Sequence, residues 1–328
     1  MRRAIALFSG GLDSTLAVRI LQEQGFTVDA LNVRTTYACC KLPAAQAAAA
    51  LGVRLTVLPV GDDYLDLIRR PVHGYGRALN PCVDCRIYMC KMARRLMLER
   101  DACVVVSGEV LGQRPKSQKR VALSLVERES GLEGRLLRPL SARLLAPTVP
   151  ECQGLVDRQR LYAFSGRSRK GLIELAGHFG VRTIPSASSG CALTSASFAP
   201  RAGDLLRFQP RAARWDFELL KIGRHVRIDA RTKAVLGRNA LENAALGEFF
   251  ARHDAPPCAL LSPENFPGPD ALLIGPADDE TVKRAGALVL RYTRRLAATA
   301  AQVRVLCGRT CRLLDVVADA GTEPLPTL

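Results

Sequence analysis

The chain reads Ser9-Gly10-Gly11-Leu12-Asp13-Ser14 directly after an apolar run, Ala4–Phe8, and directly before an apolar-periodic run, Thr15–Gln24. This order predicts a strand, a glycine turn and a helix. Adjacent glycines allow a tight bend that directs backbone N–H groups toward one point, and the start of the helix adds partial positive charge. The stretch therefore predicts a pyrophosphate site, to which the hydroxyls of Ser9 and Ser14 can donate. The string GxxxxGK[ST] does not occur in the sequence, which excludes a Walker P-loop.

The six residues match the pattern SGGxDS and so resemble the PP-loop of the ATP pyrophosphatases. This resemblance implies an adenine nucleotide alpha hydrolase-like fold, cleavage of ATP to AMP and pyrophosphate, and transfer of the adenylyl group to a substrate oxygen. Asp13 is expected to orient the turn or to help hold Mg²⁺. The expected ATP-binding residues are Ser9, Gly10, Gly11, Asp13 and Ser14 in the turn, with Ser107 and Gly108 at the end of a later strand.

Apolar runs and amphipathic stretches alternate over residues 1–120. The sequence predicts strands at Ala4–Phe8, Val28–Val33, Leu55–Val60 and Cys103–Ser107, and helices at Ser14–Gln24, Ala44–Leu51 and Arg86–Arg100. This alternation predicts an α/β fold, a parallel sheet with helices on both faces. Ligands bind such sheets beyond the carboxyl ends of the strands, where the Ser9–Ser14 turn lies.

A second, smaller domain is expected after the α/β domain. We predict that residues 1–200 form the PP-loop domain with the cysteine site and that residues 205–328 form an α+β domain. His225–Ile228 and Ala234–Leu236 flank a turn and predict a hairpin. The segments that follow predict a helix at Asn239–Arg252, a strand at Ala271–Ile274, a helix at Asp278–Arg295, and strands at Val303–Leu306 and Arg312–Val317.

The composition is that of a globular protein with a basic surface. A chain of 328 residues, 48% of them hydrophobic, is long enough for two domains. No apolar run approaches the ~20 residues that a membrane span needs. Met1-Arg2-Arg3 leads into a strand rather than a signal peptide, so we expect a cytoplasmic protein without a membrane partner. The net charge of +16 predicts a polyanionic partner, with nucleic acid first.

Eleven cysteines in a chain of this kind favour metal, cluster or sulfur chemistry over a disulfide framework. The string Asn80-Pro81-Cys82-Val83-Asp84-Cys85 places two thiols at a predicted helix start, where the helix dipole and the nearby Arg77, Arg86 and Lys91 favour thiolates. Such a pair fits zinc, an iron–sulfur cluster, a redox pair or no function. Cys191 follows a Ser/Gly loop and adds a third thiol. Three thiolates suit a [4Fe–4S] cluster with one open iron, whereas structural zinc needs four ligands.

The three cysteines match the pattern of cluster-dependent PP-loop tRNA thiolation enzymes. The resemblance makes Asp13, Cys82, Cys85 and Cys191 the expected catalytic residues, and the three cysteines the expected metal ligands. Gly74-Tyr75-Gly76 and Ser107–Gln118 resemble thiouridylase-like (2-thiouridine or 4-thiouridine synthase-like) proteins with a C-terminal NFACT-R-type domain. One departure is that Ser189-Gly190-Cys191 stands where the pattern has Gly-Gly-Cys.

This resemblance implies an ATP-dependent tRNA sulfurtransferase that adenylates a base carbonyl oxygen and replaces it with sulfur. The implied cofactors are ATP, Mg²⁺ and a [4Fe–4S] cluster. The implied partners are tRNA and a sulfur donor, either free sulfide or a persulfide carrier, and a homodimer is one expected oligomeric state.

Basic residues in three segments are expected to contact RNA phosphates, which position RNA without reading its sequence. Ser107–Lys119 leaves a strand at the ligand-binding rim, and Asp157–Phe179 is a basic stretch that we predict to be helical. In the tail, Gly237–Asn243 resembles the GRN-x-x-x-N element of NFACT-R domains, and Gly223–Arg227 precedes it as a basic strand. The expected RNA-binding residues are Arg114, Lys116, Arg167, Arg169, Lys170, Arg224, Arg227 and Arg238.

The remaining cysteines are one candidate pair and several packing residues. Cys39-Cys40 lies in a predicted loop at the ligand-binding rim of the sheet. These cysteines either carry a persulfide or are only small loop residues. Cys90 is expected in the core, one helical turn beyond Cys85. We predict packing roles for Cys103, Cys152, Cys258, Cys307 and Cys311.

Two other functions fit the same residues. One is a PP-loop ligase or amidase that adenylates a small acid, with zinc or no metal at Cys82 and Cys85. The other is a non-catalytic RNA-binding protein on the same fold. An iron–sulfur absorbance separates the first from a cluster enzyme, and ATP–pyrophosphate exchange separates the second from any adenylating enzyme.

Overall fold

A computed structural model describes residues 2–37, 43–181, 191–293, 301–317 and 327–328 of the chain. The chain divides into two compact units, Met1–Thr194 and Ser195–Leu328. Each unit has its own sheet and its own hydrophobic core. Among the described helices, none is long and apolar enough to cross a membrane.

The first unit is a parallel sheet covered by helices. Its described strands are β1 (Arg3–Leu7), β2 (Thr27–Arg34), β3 (Arg54–Pro59), β4 (Val104–Ser107) and β5 (Leu136–Leu137), in the order β3-β2-β1-β4-β5 with all neighbours parallel. Its described helices are α1 (Leu12–Gln22), α2 (Pro43–Leu51), α3 (Asp63–Arg69), α4 (Cys82–Glu99), α5 (Arg120–Ser130), α6 (Val149–Cys152) and α7 (Lys170–His178).

Both faces of this sheet are buried because successive residues of a strand point to opposite sides. Ala4 and Ala6 of β1 pack in one core with α1 and α7. Ile5 and Leu7 pack in a second core with α4 and α5. The predicted α/β fold with helices on both faces is confirmed.

The second unit is an antiparallel sheet with helices. Its described strands are β6 (Arg224–Arg227), β7 (Lys233–Leu236), β8 (Cys258–Pro263), β9 (Ala271–Ile274), β10 (Ala301–Cys307) and β11 (Thr310–Val316), in the order β11-β10-β8-β9-β7-β6. Its described helices are α8 (Ala199–Phe208), α9 (Arg214–Leu219), α10 (Ala240–Ala251) and α11 (Asp279–Arg291). One core contains α11, and another contains Trp215 of α9 and Leu246 of α10. The predicted α+β character and hairpin are confirmed, whereas β8, α8 and α9 were not predicted.

The basic stretch Asp157–Phe179 is not one helix, so that prediction was wrong. A short 3-10 turn spans Arg158–Arg160, and the α-helix begins only at Lys170. Between them Gly166 has φ +79°, which a helix cannot accommodate, and Ser165 forms a β-bridge with Leu111. Tertiary pairing with the loop after β4 therefore replaces local helix formation.

The packing predictions for cysteines were partly wrong. Cys90 is fully buried, as predicted. Cys103 and Cys258 are half-buried, but Cys152, Cys307 and Cys311 are exposed. Cys307 and Cys311 flank the turn between β10 and β11, where a hairpin end reaches solvent.

Gly108 fixes the distance between the end of β4 and the start of α1. A Cβ atom at this position would lie 2.5 Å from the carbonyl carbon of Asp13 and 2.5 Å from the backbone nitrogen of Ser14. These are backbone atoms, which cannot turn aside as a flexible side chain can. Glycine is therefore required if α1 is to start directly against this strand end.

We predict that Gly108→Ala lowers the free energy of unfolding of the first unit by about 1–3 kcal/mol, the usual cost of overpacking. The measurement is urea unfolding followed by circular dichroism, since Trp215 lies in the second unit. Gly177→Ala is the matched control, because a Cβ at that helical position would meet nothing within 4 Å. An unchanged unfolding midpoint for Gly108→Ala would contradict the prediction.

Candidate nucleotide and cysteine sites

The Ser9–Ser14 turn connects β1 to α1. Gly10 has φ +77°, a conformation that favours glycine, and Gly11 is the N-cap of α1. The Gly11 N–H donates to Ser9 Oγ at 3.3 Å, and Ser14 Oγ donates to the Gly11 carbonyl at 2.9 Å. In this fully described turn no side chain caps α1, so the positive end of the helix dipole is open to an anion.

The loop after β4 contacts this turn. Gln113 Nε2 donates to Asp13 Oδ2 at 3.1 Å, which fixes the direction of the carboxylate. Ser107 is buried, and its hydroxyl donates to Glu109 Oε2 at 3.1 Å. Gly108 thus packs against the backbone of the turn at Asp13 and Ser14, and the hydroxyl of Ser107 is engaged with Glu109.

Glu109 is a buried carboxylate between two arginines. Its Oε1 lies 3.1 Å from Arg86 Nε, and its Oε2 accepts a hydrogen bond from Arg138 Nε at 3.0 Å. Arg138 also pairs with Glu127 and donates to the Leu123 carbonyl. Burial by itself raises the pKa of Glu109, but the two guanidinium groups outweigh it and hold that pKa below its ordinary value. The carboxylate is therefore charged at neutral pH, and it joins the loop after β4 to α4.

The two cysteines of the CxxC string lie in the first turn of α4, and each sulfur has a partner from outside the helix. Asn80 Nδ2 donates to Cys82 Sγ at 3.0 Å. The Tyr64 hydroxyl, from α3, lies 3.1 Å from Cys85 Sγ. Neither contact was predicted. The Asn-Pro string pointed to a turn but not to a bond with sulfur, and no local pattern connects Tyr64 to Cys85.

The expected stabilisation of the Cys85 thiolate is not what the structure favours. Burial raises the pKa of the Cys85 thiol, and the hydrogen bond from Tyr64 and the charge of Arg86 only partly oppose this. Arg86 is already paired with Glu109, which limits its effect on the sulfur. The half-buried position of Cys85 at the helix start thus disfavours the anion.

Cys191 is brought into the same region as Cys85. The Ala192 N–H, next in sequence, donates to the Tyr37 carbonyl at 3.2 Å beyond the end of β2. Burial raises the pKa of Tyr64 well above its ordinary value, and the charges of Cys85 and then Cys191 raise it further. Tyr64 is therefore within electrostatic range of both sulfurs.

The metal-ligand prediction for Cys82, Cys85 and Cys191 is not matched by a preformed site. Among the described residues, no three His, Cys, Asp or Glu side chains are arranged to hold a metal ion. The preceding Ser188–Gly190 and the Cys39-Cys40 pair lie outside the described residues. The part of the chain that the structure describes therefore contains no preformed three-cysteine site, but Cys191 lies within electrostatic range of Tyr64, which contacts Cys85.

The expected RNA-binding residues of the first unit differ in their surroundings. Lys116 Nζ donates to the carbonyls of His73 and Tyr75, so it holds the segment before α4. Arg114, Arg167 and Lys170 are exposed and Arg169 is half-buried. The pairing of Gly166 with Leu111 holds the Arg167–Lys170 segment beside the loop that carries Gln113.

In the second unit, the predicted GRN-x-x-x-N element forms a helix start. Asn239 caps α10 by accepting a hydrogen bond from the Glu242 N–H at 3.0 Å. Asn243 Oδ1 accepts from the Asp270 N–H at 3.2 Å, and a Cβ at Gly237 would lie 2.0 Å from that same oxygen. Arg238 pairs with Glu242. The contacts of these residues are therefore structural in the described state.

The two remaining basic candidates of the second unit are also engaged. The Arg224 guanidinium lies 5.1 Å from the centre of the Tyr292 ring. Arg227 Nη2 lies 2.6 Å from Asp204 Oδ2, and its guanidinium lies over the Phe208 ring. Arg227 is thus held from two sides by α8.

Comparisons with known proteins match two separate parts of the chain. Residues 1–142 match a family described as "Thiamine biosynthesis protein (ThiI)", and residues 223–318 match "NFACT protein RNA binding domain". A curated relative, the tRNA-specific 2-thiouridylase MnmA of Acidithiobacillus ferrooxidans, is 32% identical over 101 residues, in each of two strains. That match covers 27% of this chain and 28% of the relative.

The chain is thus similar to thiouridylase-like PP-loop proteins over part of its first unit and to NFACT-R-type domains over most of its second. Because it spans little more than a quarter of the curated relatives, the match supports the type of domain, and activity is a separate question.

Solved structures give only faint overall likenesses. A 4-thiouridine synthetase–RNA complex with bound ATP has 18% identity and a TM-score of 0.34, covering 55% of this chain and 52% of that one. A predicted subunit of tRNA methyltransferase from Methanocaldococcus jannaschii has 15% identity and a TM-score of 0.33, covering 42% and 68%. The NMN synthetase of Francisella tularensis has 12% identity and a TM-score of 0.28, covering 57% and 89%. Superpositions of this quality support no argument.

The NFACT-R-type domain contains a buried cluster of charges that depends on α8, outside the matched range 223–318. Asp204 Oδ2 lies 3.3 Å from Lys233 Nζ, and Asp204 also holds Arg227. Burial lowers the pKa of Lys233 to about 8, against the opposing charge of Asp204. The neighbouring His225 is buried with Nδ1 unpartnered, and burial followed by the charge of Lys233 lowers its pKa well below the ordinary value.

We predict that the stability of this domain rises with pH because of Lys233. Its pKa is about 8 in the folded chain against 10.5 for an ordinary lysine, so between these values the unfolded chain binds more protons. The free energy of unfolding therefore increases across that window. Lys233→Met should flatten the increase. The measurement is urea unfolding at pH 8, 9 and 10 by the fluorescence of Trp215, which packs in the same domain.

Lys221→Met is the matched control, because Lys221 is exposed. It should keep the wild-type dependence of the unfolding midpoint on pH. Equal slopes for both variants and the wild type would show that Lys233 titrates like an ordinary lysine.

Proposed function

We propose that this protein is an ATP-dependent tRNA sulfurtransferase that adenylates a base carbonyl oxygen and replaces that oxygen with sulfur. The observation that carries the proposal is the position of Tyr64, which contacts Cys85 and lies within electrostatic range of Cys191. Tyr64 thus links a sulfur of the CxxC pair with a thiol more than one hundred residues away, in a unit that is partly similar to ThiI. Sulfur chemistry explains such a convergence, whereas adenylation of a small acid does not require it.

The first step is activation of the base by ATP. The pyrophosphate moiety would lie at the uncapped start of α1, against the backbone of Gly10 and Gly11. The carbonyl oxygen of the base attacks the α-phosphorus, the bond to pyrophosphate breaks, and the oxygen becomes part of an AMP leaving group. Asp13, held in direction by Gln113, is the carboxylate best placed to bind Mg²⁺ near those phosphates.

The second step replaces the activated oxygen. With free sulfide, the sulfide sulfur attacks the base carbon, AMP leaves with the original oxygen, and no atom changes oxidation state. With a persulfide carrier, one cysteine takes over the outer sulfur as the carrier leaves as a thiol, and this sulfur attacks the base carbon as AMP leaves. A second cysteine thiolate then attacks the remaining S–S bond, which releases the thiolated base and forms a disulfide that an external dithiol reduces. In this proposal Cys82, Cys85 and Cys191 are the candidates for these two cysteines.

The finer part of the proposal is that these cysteines ligate a [4Fe–4S] cluster. Such a cluster would supply an open iron to which inorganic sulfide binds. Its support is the sequence pattern and the electrostatic effect of Cys191 on Tyr64, which contacts Cys85.

tRNA is the proposed partner because an NFACT-R-type domain is joined to the thiouridylase-like unit. The exposed Arg114, Arg167 and Lys170 are the best candidates for phosphate contacts in the first unit. Arg227 and Arg238 already bind carboxylates, so RNA would have to compete with Asp204 and Glu242 for them. A cytoplasmic location and a homodimer complete the proposal.

We predict that Gly11→Val lowers the rate of tRNA-dependent pyrophosphate release on the order of 100-fold. This is the usual loss when an enzyme lacks a fixed hydrogen-bond donor to charge that develops in the transition state. A side chain at Gly11 would occupy the space where phosphate approaches the backbone, while its nearest described contact is only Ser9 Oγ at 3.3 Å. Gly177→Val is the control, since a Cβ at that position meets nothing within 4 Å. Wild-type turnover by Gly11→Val would refute the nucleotide site.

We predict that Cys191→Ser retains ATP- and tRNA-dependent pyrophosphate release but produces no thiolated nucleoside, because sulfur acts after adenylation. Pyrophosphate assay and nucleoside mass spectrometry of the tRNA measure the two steps separately. Cys152→Ser is the control, since Cys152 is exposed. Full thiolation by Cys191→Ser would remove this residue from the mechanism.

The cluster part has its own readout, iron and acid-labile sulfide after anaerobic reconstitution. Wild type should contain both, and Cys191→Ser should lose them. A wild type that takes up zinc and no iron would overturn the cluster while leaving sulfur transfer by thiols or persulfide in place.

A further inference from the structure

Asn80 is fixed so that one amide N–H can only face Cys82. The side chain is buried, and its Oδ1 accepts a hydrogen bond from the Ala78 N–H at 3.1 Å. The Asn80 carbonyl accepts from the Gly76 N–H at 2.9 Å. A Cβ at Gly76 would lie 2.2 Å from Asn80 Nδ2, so glycine is what admits the amide there. The Nδ2 group therefore faces Cys82 Sγ, 3.0 Å away.

Tyr64 is fixed in the same way beside Cys85. It is 2% exposed, and its ring packs edge-on against that of Tyr88, with centroids 5.3 Å apart. Its hydroxyl lies 3.1 Å from Cys85 Sγ. A phenol carries one O–H donor, so Tyr64 can donate to this sulfur whenever the sulfur has no proton of its own.

These two contacts are more specific than core packing requires. A buried cysteine that serves only as a small hydrophobe needs no hydrogen-bond donor, as Cys90 on the same helix illustrates among fully buried apolar neighbours. A sulfur that is bound to a metal, to arsenic or to a second sulfur has lost its proton and can only accept. Donors fixed in advance therefore match sulfur in its bound form.

Resting on the proposed use of Cys82 and Cys85 as sulfur-handling residues, we propose that Tyr64 and Asn80 are positioning residues. Each residue donates a hydrogen bond to one sulfur atom and so fixes the orientation of that sulfur. In this orientation the two sulfur atoms bind one thiophilic group together. Neither residue touches the base or ATP in this proposal. They act through the cysteines and thereby set how tightly and in what geometry the pair binds.

The test uses the full-length chain, without ATP or tRNA, and two probes of the cysteine pair. Co²⁺ reports sulfur ligation through its charge-transfer absorbance, and phenylarsine oxide bridges two thiols with loss of one water. Tyr64→Phe removes only the phenolic oxygen, and Asn80→Asp replaces the amide N–H with an acceptor. Tyr88→Phe is the matched control, because it removes a phenolic oxygen from the neighbouring ring, whose hydroxyl donates to Asp63 Oδ1 at 2.9 Å.

We expect Tyr64→Phe and Asn80→Asp each to weaken Co²⁺ binding by about 10–100-fold, the range for loss of an outer hydrogen bond to a ligand. Each should also shift the charge-transfer band and weaken capture of the arsenical. Tyr88→Phe should match wild type in all three. A residue with a purely structural role would lower thermal stability without moving the band.

Several outcomes would overturn the inference. One is that Tyr64→Phe and Asn80→Asp both match Tyr88→Phe in Co²⁺ affinity, band position and arsenical binding. Another is a wild type that captures neither Co²⁺ nor the arsenical, which would show that the two sulfurs do not act together. Should Tyr64→Phe fail to fold, Asn80→Asp decides alone. Since neither probe needs turnover, a protein that fails to thiolate tRNA yet shows the expected shifts would refute the proposed function and leave the positioning roles intact.

Discussion

The buried carboxylate of Glu109 is the constraint on which the first unit depends. It lies between Arg86 and Arg138, at 3.1 and 3.0 Å, with almost no exposure to water. Removing one partner of such a buried pair typically costs about 3–5 kcal/mol, because the other charge is left in a dry interior. Glu109 directly follows Gly108, which packs against the backbone of the Ser9–Ser14 turn. Arg86 directly follows Cys85. One ion pair thus fixes both the turn and the start of the cysteine helix.

The second unit uses its charges differently from what a net charge of +16 suggests. Arg227 and Lys233 face Asp204 of α8, and Arg238 faces Glu242. These cations stabilise the domain in the described state, so the basic composition overstates the surface offered to an anion. Arg167 and Lys170 of the first unit, by contrast, are exposed.

Sequence reasoning succeeded where the information was local. The SGGxDS turn, the first strands and the β6–β7 hairpin follow from the order of apolar residues and glycines, and the structure contains them. It failed for Asp157–Phe179, because a bridge from Ser165 to Leu111 holds that stretch open. It also missed the contact of Tyr64 with Cys85, 21 residues away, and that of Asp204 with Arg227, 23 residues away. Neither contact produces a periodic pattern in the sequence.

The sequence by itself determined the chemistry that is available: a glycine turn before a helix, a CxxC pair at a helix start, and a third cysteine after a Ser/Gly string. Residue type and short-range order fix these features, because turn and helix formation depend on neighbouring residues. Only the tertiary structure decided their surroundings. Burial raises the pKa of the Cys85 thiol, Tyr64 and Asn80 lie against the two sulfurs, and Cys191 comes within electrostatic range of Tyr64. Desolvation and hydrogen bonding between distant segments arise only when the chain is packed.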